Sequence, residues 1–326
     1  MLSSLILSCS EDTDYHTLTI EAYPEDVADV FGDGNYEAGE VVEISAIILD
    51  DEHELVNWIN AAGDFVAEEI DFEYTMSDRS DTLTANFTIR HVIEGDGVTD
   101  MEGNDYKTIV LGSQEWTAEN LRVTRYNNGD DIPTDLNHED WQNTSEGAFT
   151  IFDPGHDDAD GINSNAEMVA AYGKLYNWHA ISDERGICPD GWKVPEKSDW
   201  EALFEAIEDE FGIHNANEID GLGNALKSSY QVGHPWGADY AADAHPRWNE
   251  HMVHYGRDVF GFSATPAGYR DHDGTFILLG YPAFFWASTE RDDAYAYYYY
   301  INTNMGNVNE NNRHKELGLA IRCIRE

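Results

Sequence analysis

The chain has 326 residues, 41% of them apolar and 12% aromatic, so it can bury real cores and two domains are the natural expectation. Its 64 Asp and Glu stand against 18 Lys and Arg, a formal net charge of −46. That balance excludes nucleic acid as a partner, because phosphate binding needs clustered Lys and Arg, and it excludes adsorption to anionic lipid. Most acids alternate with apolar residues, as on a solvated face. This reads as adaptation to salt, where screening over a few Å tolerates dense carboxylates; cation binding at several sites is the alternative.

Residues 1–15 read as the remnant of an export signal followed by a tether. Leu2-Ser-Ser-Leu-Ile-Leu7-Ser8-Cys9 is a short apolar run that ends in a small residue and a cysteine. It resembles the tail of a bacterial lipoprotein signal, though it lacks the basic n-region and the apolar core of about 7–15 residues. Ser10-Glu11-Asp12 resembles the surface-export signal of Bacteroidota lipoproteins. The resemblance implies an exported protein on the extracellular face of the outer membrane, acylated at Cys9. Attachment would be through lipid alone, since no other stretch approaches the ~20 apolar residues of a spanning helix.

Residues 16–90 read as a small, mainly β module. Thr17 to Tyr23 and Val41 to Ile47 alternate apolar and polar, with Gly32, Gly34 and Gly39 marking turns between them. Leu55-Val-Asn-Trp58, Phe72-Glu-Tyr-Thr-Met76 and Thr82-Leu-Thr-Ala-Asn-Phe87 complete the set. Tyr36-Glu-Ala-Gly39, Val56-Asn-Trp58, Tyr74-Thr-Met76 and Leu83-Thr-Ala-Asn-Phe87 resemble the divergent InlB B-repeat of bacterial surface proteins. The resemblance implies a spacer without chemistry of its own.

Residues 88–97 form a junction, and 91–326 read as the second domain. Val98 to Tyr106 has the pattern of a hairpin with Met101-Glu-Gly-Asn104 as its turn, and strand patterns continue over 108–112 and 115–121. One helix is expected over roughly 165–180. A second starts at Ser198, where Ser198-x-x-Glu201 has the form of a capping box. Trp200, Leu203, Phe204, Ile207 and Phe211 mark its core-facing stripe. Strands are expected over 284–289, over 294–301, where alternate tyrosines face opposite sides, and over 317–323.

Cys188 and Cys323 lie far apart, each inside a structured phrase. One disulfide closing a large loop, in an oxidising compartment, is favoured over two buried free thiols.

The phrases of this domain form an ordered set: Trp116-x-Ala-Glu-Asn-Leu121, Tyr172-Gly-Lys-Leu-Tyr-Asn-Trp178, Cys188-Pro-x-Gly-Trp192-x-Val-Pro195, Ala225-Leu-Lys227, Gly261-Phe-Ser-Ala264, Gly268-Tyr-Arg270, Trp286-Ala-Ser-Thr-Glu290 and Arg322-Cys323. Together they closely resemble the Fibrobacter succinogenes major paralogous domain over about residues 98–326. The resemblance implies an α+β, C-type-lectin-like fold, with two helices flanking a twisted antiparallel sheet. It places the cysteine pair where such a fold has its long-range disulfide. It supplies no catalytic residues. The chain departs from the family pattern by acidic insertions at 153–167 and 236–258.

The first insertion is the leading metal candidate. Calcium takes six to eight oxygen ligands, and acids spaced around a glycine turn can supply them. Asp157, Asp158, Asp160, Asn163 and Glu167 around Gly161 have that character. His156 stands where an EF-hand needs its first acid, so a calcium loop of another geometry is the expectation, against a plain acidic surface loop. The second insertion holds His245, His251 and His254, close after His234; His251 and His254 share a helical spacing, but no third zinc ligand stands at a recognised distance. Trp236 and Trp248, in polar surroundings, are the candidate sugar-stacking residues; most other aromatics read as core. Gly261-Phe-Ser263 faintly has the form of a nucleophile elbow without its closing glycine, so Ser263 is assigned no catalysis.

The functional expectation is a non-enzymatic cell-surface lipoprotein, in which a spacer holds out a lectin-like domain that binds a glycan or a surface protein. A subunit of a filament or larger surface complex is compatible with that. An enzyme of the formylglycine-generating or polysaccharide-hydrolysing class is the rival; hydrolysis would need two carboxylates about 5–5.5 or 6.5–9.5 Å apart.

Overall fold

The computed structural model describes residues 14–50, 53–234 and 243–326. The chain divides into two compact units, Met1–Ile89 and Arg90–Glu326. Cys9 and Trp236 lie outside the described residues.

The first unit is all β. A five-stranded sheet contains Gly34–Glu37, Tyr15–Tyr23, Asp81–Ile89, His53–Asn60 and Phe65–Ala67, in that spatial order; a three-stranded sheet contains Ala28–Phe31, Val41–Ile48 and Asp71–Thr75. The alternation read from the sequence sets the faces. Leu18 and Ile20 from one strand, Val42, Ile44 and Ala46 from another, and Leu83, Ala85 and Phe87 from a third point into one core around Trp58. The Trp58 indole N–H donates to Glu69 O at 3.0 Å, so the largest core side chain leaves no stranded donor. The first and last strands run parallel, with Leu18 opposite Asp81 and Tyr23 opposite Asn86.

The second unit mixes helices with short antiparallel strands, an α+β arrangement. Val98–Thr99 and Asp105–Tyr106 form the expected hairpin. Its turn is held by Asp100, whose carboxylate accepts from the backbone N–H groups of Glu102 and Asn104 at 2.9 Å each. A four-stranded sheet then brings together Thr108–Leu111, Gln114–Thr117, Ile324–Arg325 and Trp192–Lys193. A three-stranded sheet contains Pro282–Glu290, Tyr295–Asn302 and Val308–His314.

Three local expectations are corrected. The helix expected over 165–180 is two helices, Asn165–Tyr172 and Trp178–Ile181, separated by the strand Leu175–Tyr176. Gly173, at φ 75°, stops the first, because that conformation is open to glycine and costly for other residues. The long helix Lys197–Phe211 begins one residue before Ser198. Its box is made by Glu196 and Asp199, with Asp199 Oδ2 accepting from Glu196 N at 2.8 Å. The S-x-x-E pattern that does cap a helix is Ser164 to Glu167: Ser164 Oγ accepts from Glu167 N at 3.2 Å. The closing strand expected over 317–323 is a set of isolated bridges, Leu319 to Tyr176 and Ala320 to Phe285, before the two-residue strand Ile324–Arg325. Its apolar residues are buried all the same.

Among the described residues no helix is long and apolar enough to cross a membrane.

Candidate functional site

Three features frame the second unit. The first is the disulfide. Cys188 and Cys323 are bonded, 135 positions apart in sequence, with Cα atoms 5.9 Å apart. The bond sits beside a ladder that already joins the same segments, with Lys193 paired to Ile324. Thr117 N donates to Cys323 O, and Cys323 N donates to Thr117 Oγ1.

The second is Arg322, fully buried. Its Nε donates to Asn120 Oδ1 at 2.8 Å, Nη1 to Thr117 O at 2.9 Å and Phe262 O at 2.8 Å, and Nη2 to Ser263 O at 2.9 Å. One side chain thus ties the last residues to two loops more than 50 positions away. Burial pushes the guanidinium down to about 9, and the nearby Glu119 and Asp258 carboxylates oppose part of that shift. Ser263 lies in the loop it clamps. Its N and Oγ donate to Asp258 at 2.7 and 2.6 Å, so Asp258 and Ser263 staple that loop. Burial raises the Asp258 carboxyl.

The third is an open groove of about 750 Å³ above this floor, a volume within the range of ligand clefts. Its walls carry charges of both signs, Arg90, Lys107 and Arg122 against Glu94, Asp96, Asp105 and Glu119, with the buried Arg322 beneath them. Tyr172, Tyr230, Asn120 and Thr265 add hydroxyl and amide groups. Arg122 is held in place by Glu119 at 3.2 Å, by Asp105 O at 2.6 Å and by the face of Tyr106, 4.8 Å from its centroid. Asn120 Nδ2 donates to Tyr172 O and Thr265 Oγ1. The polar walls are therefore fixed by bonds made before any ligand arrives.

The acidic insertion at 153–167 is built differently from a cage. Asp157 lies in a short helical turn, Asp157–Ala159, capped by His156, whose Nδ1 accepts from Asp158 N at 3.2 Å. Glu167 Oε2 accepts from Asn163 N at 2.7 Å, so this carboxylate serves the start of the helix Asn165–Tyr172. Asp157, Asp160, Asn163 and Glu167 are exposed and Asp158 is half-buried. Among the described residues, no group of three or more His, Cys, Asp or Glu side chains is gathered in a way that could hold a metal ion. The S-x-x-E spacing was the signal for Glu167, and it points to a cap.

The two insertions meet. His245 Nε2 lies 2.9 Å from Asp160 O, and its Nδ1 lies 2.7 Å from the Tyr172 hydroxyl. A Cβ on Gly161 would stand 2.1 Å from Asp243 O, so only glycine permits this approach. His251 and His254 stack with centroids 5.2 Å apart, and His251 Nδ1 accepts from His254 N at 2.9 Å. His234 is buried with Nε2 3.1 Å from Gly256 O. His245 thus bridges the two insertions, while His251 and His254 bond within their own loop.

Trp248 is a correction. It is fully buried, and its indole N–H is shared between Ser228 Oγ at 3.1 Å and Ala264 O at 3.2 Å. Its ring lies in the interior, not at a surface where a sugar could stack. Beside it lies Lys227, to which the sequence assigned no role. Its buried ammonium reaches Asn224 Oδ1 and Met305 O at 2.9 Å and Thr303 O at 3.3 Å, with the Trp248 ring 5.4 Å away.

A disulfide-closed α+β domain with a pre-bonded polar groove defines a class of structure, not an activity. A family model, the Fibrobacter succinogenes major domain, matches residues 109–325, more than half of the chain. The chain belongs to that family. Neither a curated protein nor a solved structure matches it.

Proposed function

We propose that the chain is a non-enzymatic, exported surface protein, anchored through lipid at Cys9, in which an InlB-repeat-like spacer carries a C-type-lectin-like domain that binds its ligand in the groove. The observation that carries this reading is the groove itself. Its walls mix three cationic with four anionic side chains and several hydroxyl and amide groups, over the buried Arg322 of the floor. Such walls can pair with many hydrogen-bonding groups of a polar ligand, while an apolar ligand would leave them unpaired at a cost. The buried Arg322 network gives the floor a fixed shape, and fixed walls reduce the ordering cost of binding. The disulfide supports an oxidising location outside the cytosol.

The test is a glycan array and a surface-protein pull-down with the chain, with and without calcium, repeated with Lys107→Glu and Arg122→Ala. A captured ligand that both variants lose supports the groove. Silence in both screens removes the binding reading. For the anchor, labelled palmitate should be incorporated by the full-length protein in its host and not by Cys9→Ala.

A further inference from the structure

The buried Arg322 has one donor left over. A guanidinium carries five N–H groups. Nε uses one on Asn120 Oδ1, Nη1 uses two on Thr117 O and Phe262 O, and Nη2 uses one on Ser263 O. The fifth N–H, on Nη2, has no hydrogen-bond partner among the described residues. All four partners are neutral oxygens, and the Glu119 and Asp258 carboxylates act on the cation without touching it.

The partners also show which edge faces the groove. Asn120 and Ser263, held by Nε and Nη2, line it; Thr117 and Phe262, held by Nη1, do not. A buried donor without a partner is costly, and an acceptor entering from the groove would satisfy this one. An anionic acceptor would bond it most strongly.

Further unbonded groups stand on the walls. Lys107 is exposed and makes no ion pair among the described residues. Arg122 places Nη1 on Glu119 and Nη2 on Asp105 O, and no described residue accepts from its Nε. Of the four acids, Glu119 is matched to Arg122 and Asp105 accepts from the Thr99 hydroxyl. Glu94 and Asp96 are exposed, with no side-chain bond among the described residues. Acids outnumber Lys and Arg by 64 to 18 over the chain, whereas the groove is lined by four of each. A lone anion is therefore repelled less here than over the surface as a whole.

The open donors and acceptors describe a ligand. Arg322, Arg122 and Lys107 ask for a carboxylate, while Glu94 and Asp96 ask for hydroxyl donors. Tyr230, 43% exposed, offers a ring to the C–H face of a sugar. A neutral sugar brings no charge to the cations. A polyanion meets the four carboxylates and the net charge of −46.

We propose that the groove binds a sugar acid, uronic or nonulosonic, whose single carboxylate meets the open N–H groups of Arg322, Arg122 and Lys107 and whose hydroxyls donate to Glu94 and Asp96. This rests on the groove being the binding site and adds the chemical class of its ligand.

The test is a saturation-transfer NMR titration of the whole chain with monosaccharides. Galacturonate, glucuronate and N-acetylneuraminate are each compared with their own methyl ester, which keeps the ring without the charge. Galactose is the neutral sugar, and N-acetylalanine carries a carboxylate without the ring. At least one sugar acid should bind about tenfold or more tightly than its ester, the scale of one charge-assisted hydrogen bond; which acid does so separates uronic from nonulosonic. Lys107→Gln and Arg122→Gln should each remove about that factor. Arg125→Ala, in a surface ion pair with Asp131, should remove none. Lys107 is exposed, so its variant keeps the fold and guards against an Arg122→Gln protein that fails to fold. Equal binding of acids and esters, or N-acetylalanine bound as tightly as the sugar acids, overturns the proposal. So does undiminished binding by Lys107→Gln. If no sugar acid binds while the glycan or protein screens capture another ligand that Lys107→Glu loses, this inference falls and the groove reading stands. Silence in the titration and in both screens overturns the two together.

Discussion

Replacing Cys188 and Cys323 together by alanine tests how the second unit is held. The bond closes a loop with 135 positions between its ends. Chain-entropy reasoning assigns such a loop about 5 kcal/mol of stabilisation at 25 °C, through restriction of the unfolded chain. The two cysteines are 2% and 0% exposed, so alanine leaves an apolar site of slightly smaller volume and adds little further loss. For a unit of this size a loss of 5 kcal/mol lowers the midpoint by about 10–20 °C. Residues 14–89 contain no cysteine, so the transition of the first unit is an internal control. Differential scanning calorimetry of the whole chain, wild type and double variant, should show one transition moving down and the other unchanged. Adding a reductant to the unfolded wild type before refolding should reproduce the variant. A midpoint shift of the second unit under about 3 °C would refute the reasoning, since the reduced chain would then have to be restricted by other means.

Arg322→Ala should lower the stability of the same unit by about 3–5 kcal/mol, because it strands the buried acceptors of Asn120, Thr117 and Phe262 and the half-buried one of Ser263; urea titration followed by tryptophan fluorescence measures it. Lys227 gives a pH signature. Burial pushes its amine down to about 7 in the folded chain, while the unfolded amine titrates near about 10.4. The cost of keeping it charged is therefore fully present below pH 7 and is relieved as pH rises toward 10. Wild type should gain stability over Lys227→Met across that window, and a difference independent of pH would show that the surrounding oxygens cancel the burial cost. Trp248→Ala should destabilise by about 3–5 kcal/mol, as a deleted core aromatic does, while glycan or protein capture by the remaining folded fraction stays unchanged. Gly161→Ala should loosen the two insertions from each other, since its Cβ would stand 2.1 Å from Asp243 O; limited proteolysis within 236–258 should become faster, and an unchanged cleavage rate would argue that this contact holds nothing.

Much of the fold was legible because it rests on period and punctuation. The alternation of the strands holding Leu18, Ile44 and Leu83 placed those residues in a core, and period-two patterning needs no knowledge of partners. The stripe of the helix Lys197–Phe211 put Trp200, Leu203 and Ile207 inside, where they are buried. The disulfide followed from two cysteines in structured phrases. The candidate site was far less legible. Asp157, Asp158, Asp160, Asn163 and Glu167 have the composition of a cation loop, but composition is silent on where side chains point, and Glu167 turns to the backbone of Asn163. Trp248 has polar neighbours in sequence, yet its own ring is fully buried, with the indole N–H bonded to Ser228 Oγ and Ala264 O.

By itself the sequence determined the strand faces, the core stripe of the long helix, the cysteine pair and the phrases that mark the family. Each depends on local spacing or on residue type alone. Tertiary structure alone decided that the first and last strands of the first unit run parallel, that the two acidic insertions meet at His245, and that Arg322 closes the floor of a groove whose walls come from stretches between residues 90 and 322. It also decided that register sorts Glu310 to one side of the tyrosine-rich sheet and Asn311 to the other. Such pairings join residues tens to hundreds of positions apart, and their geometry is set by the packing of the whole chain.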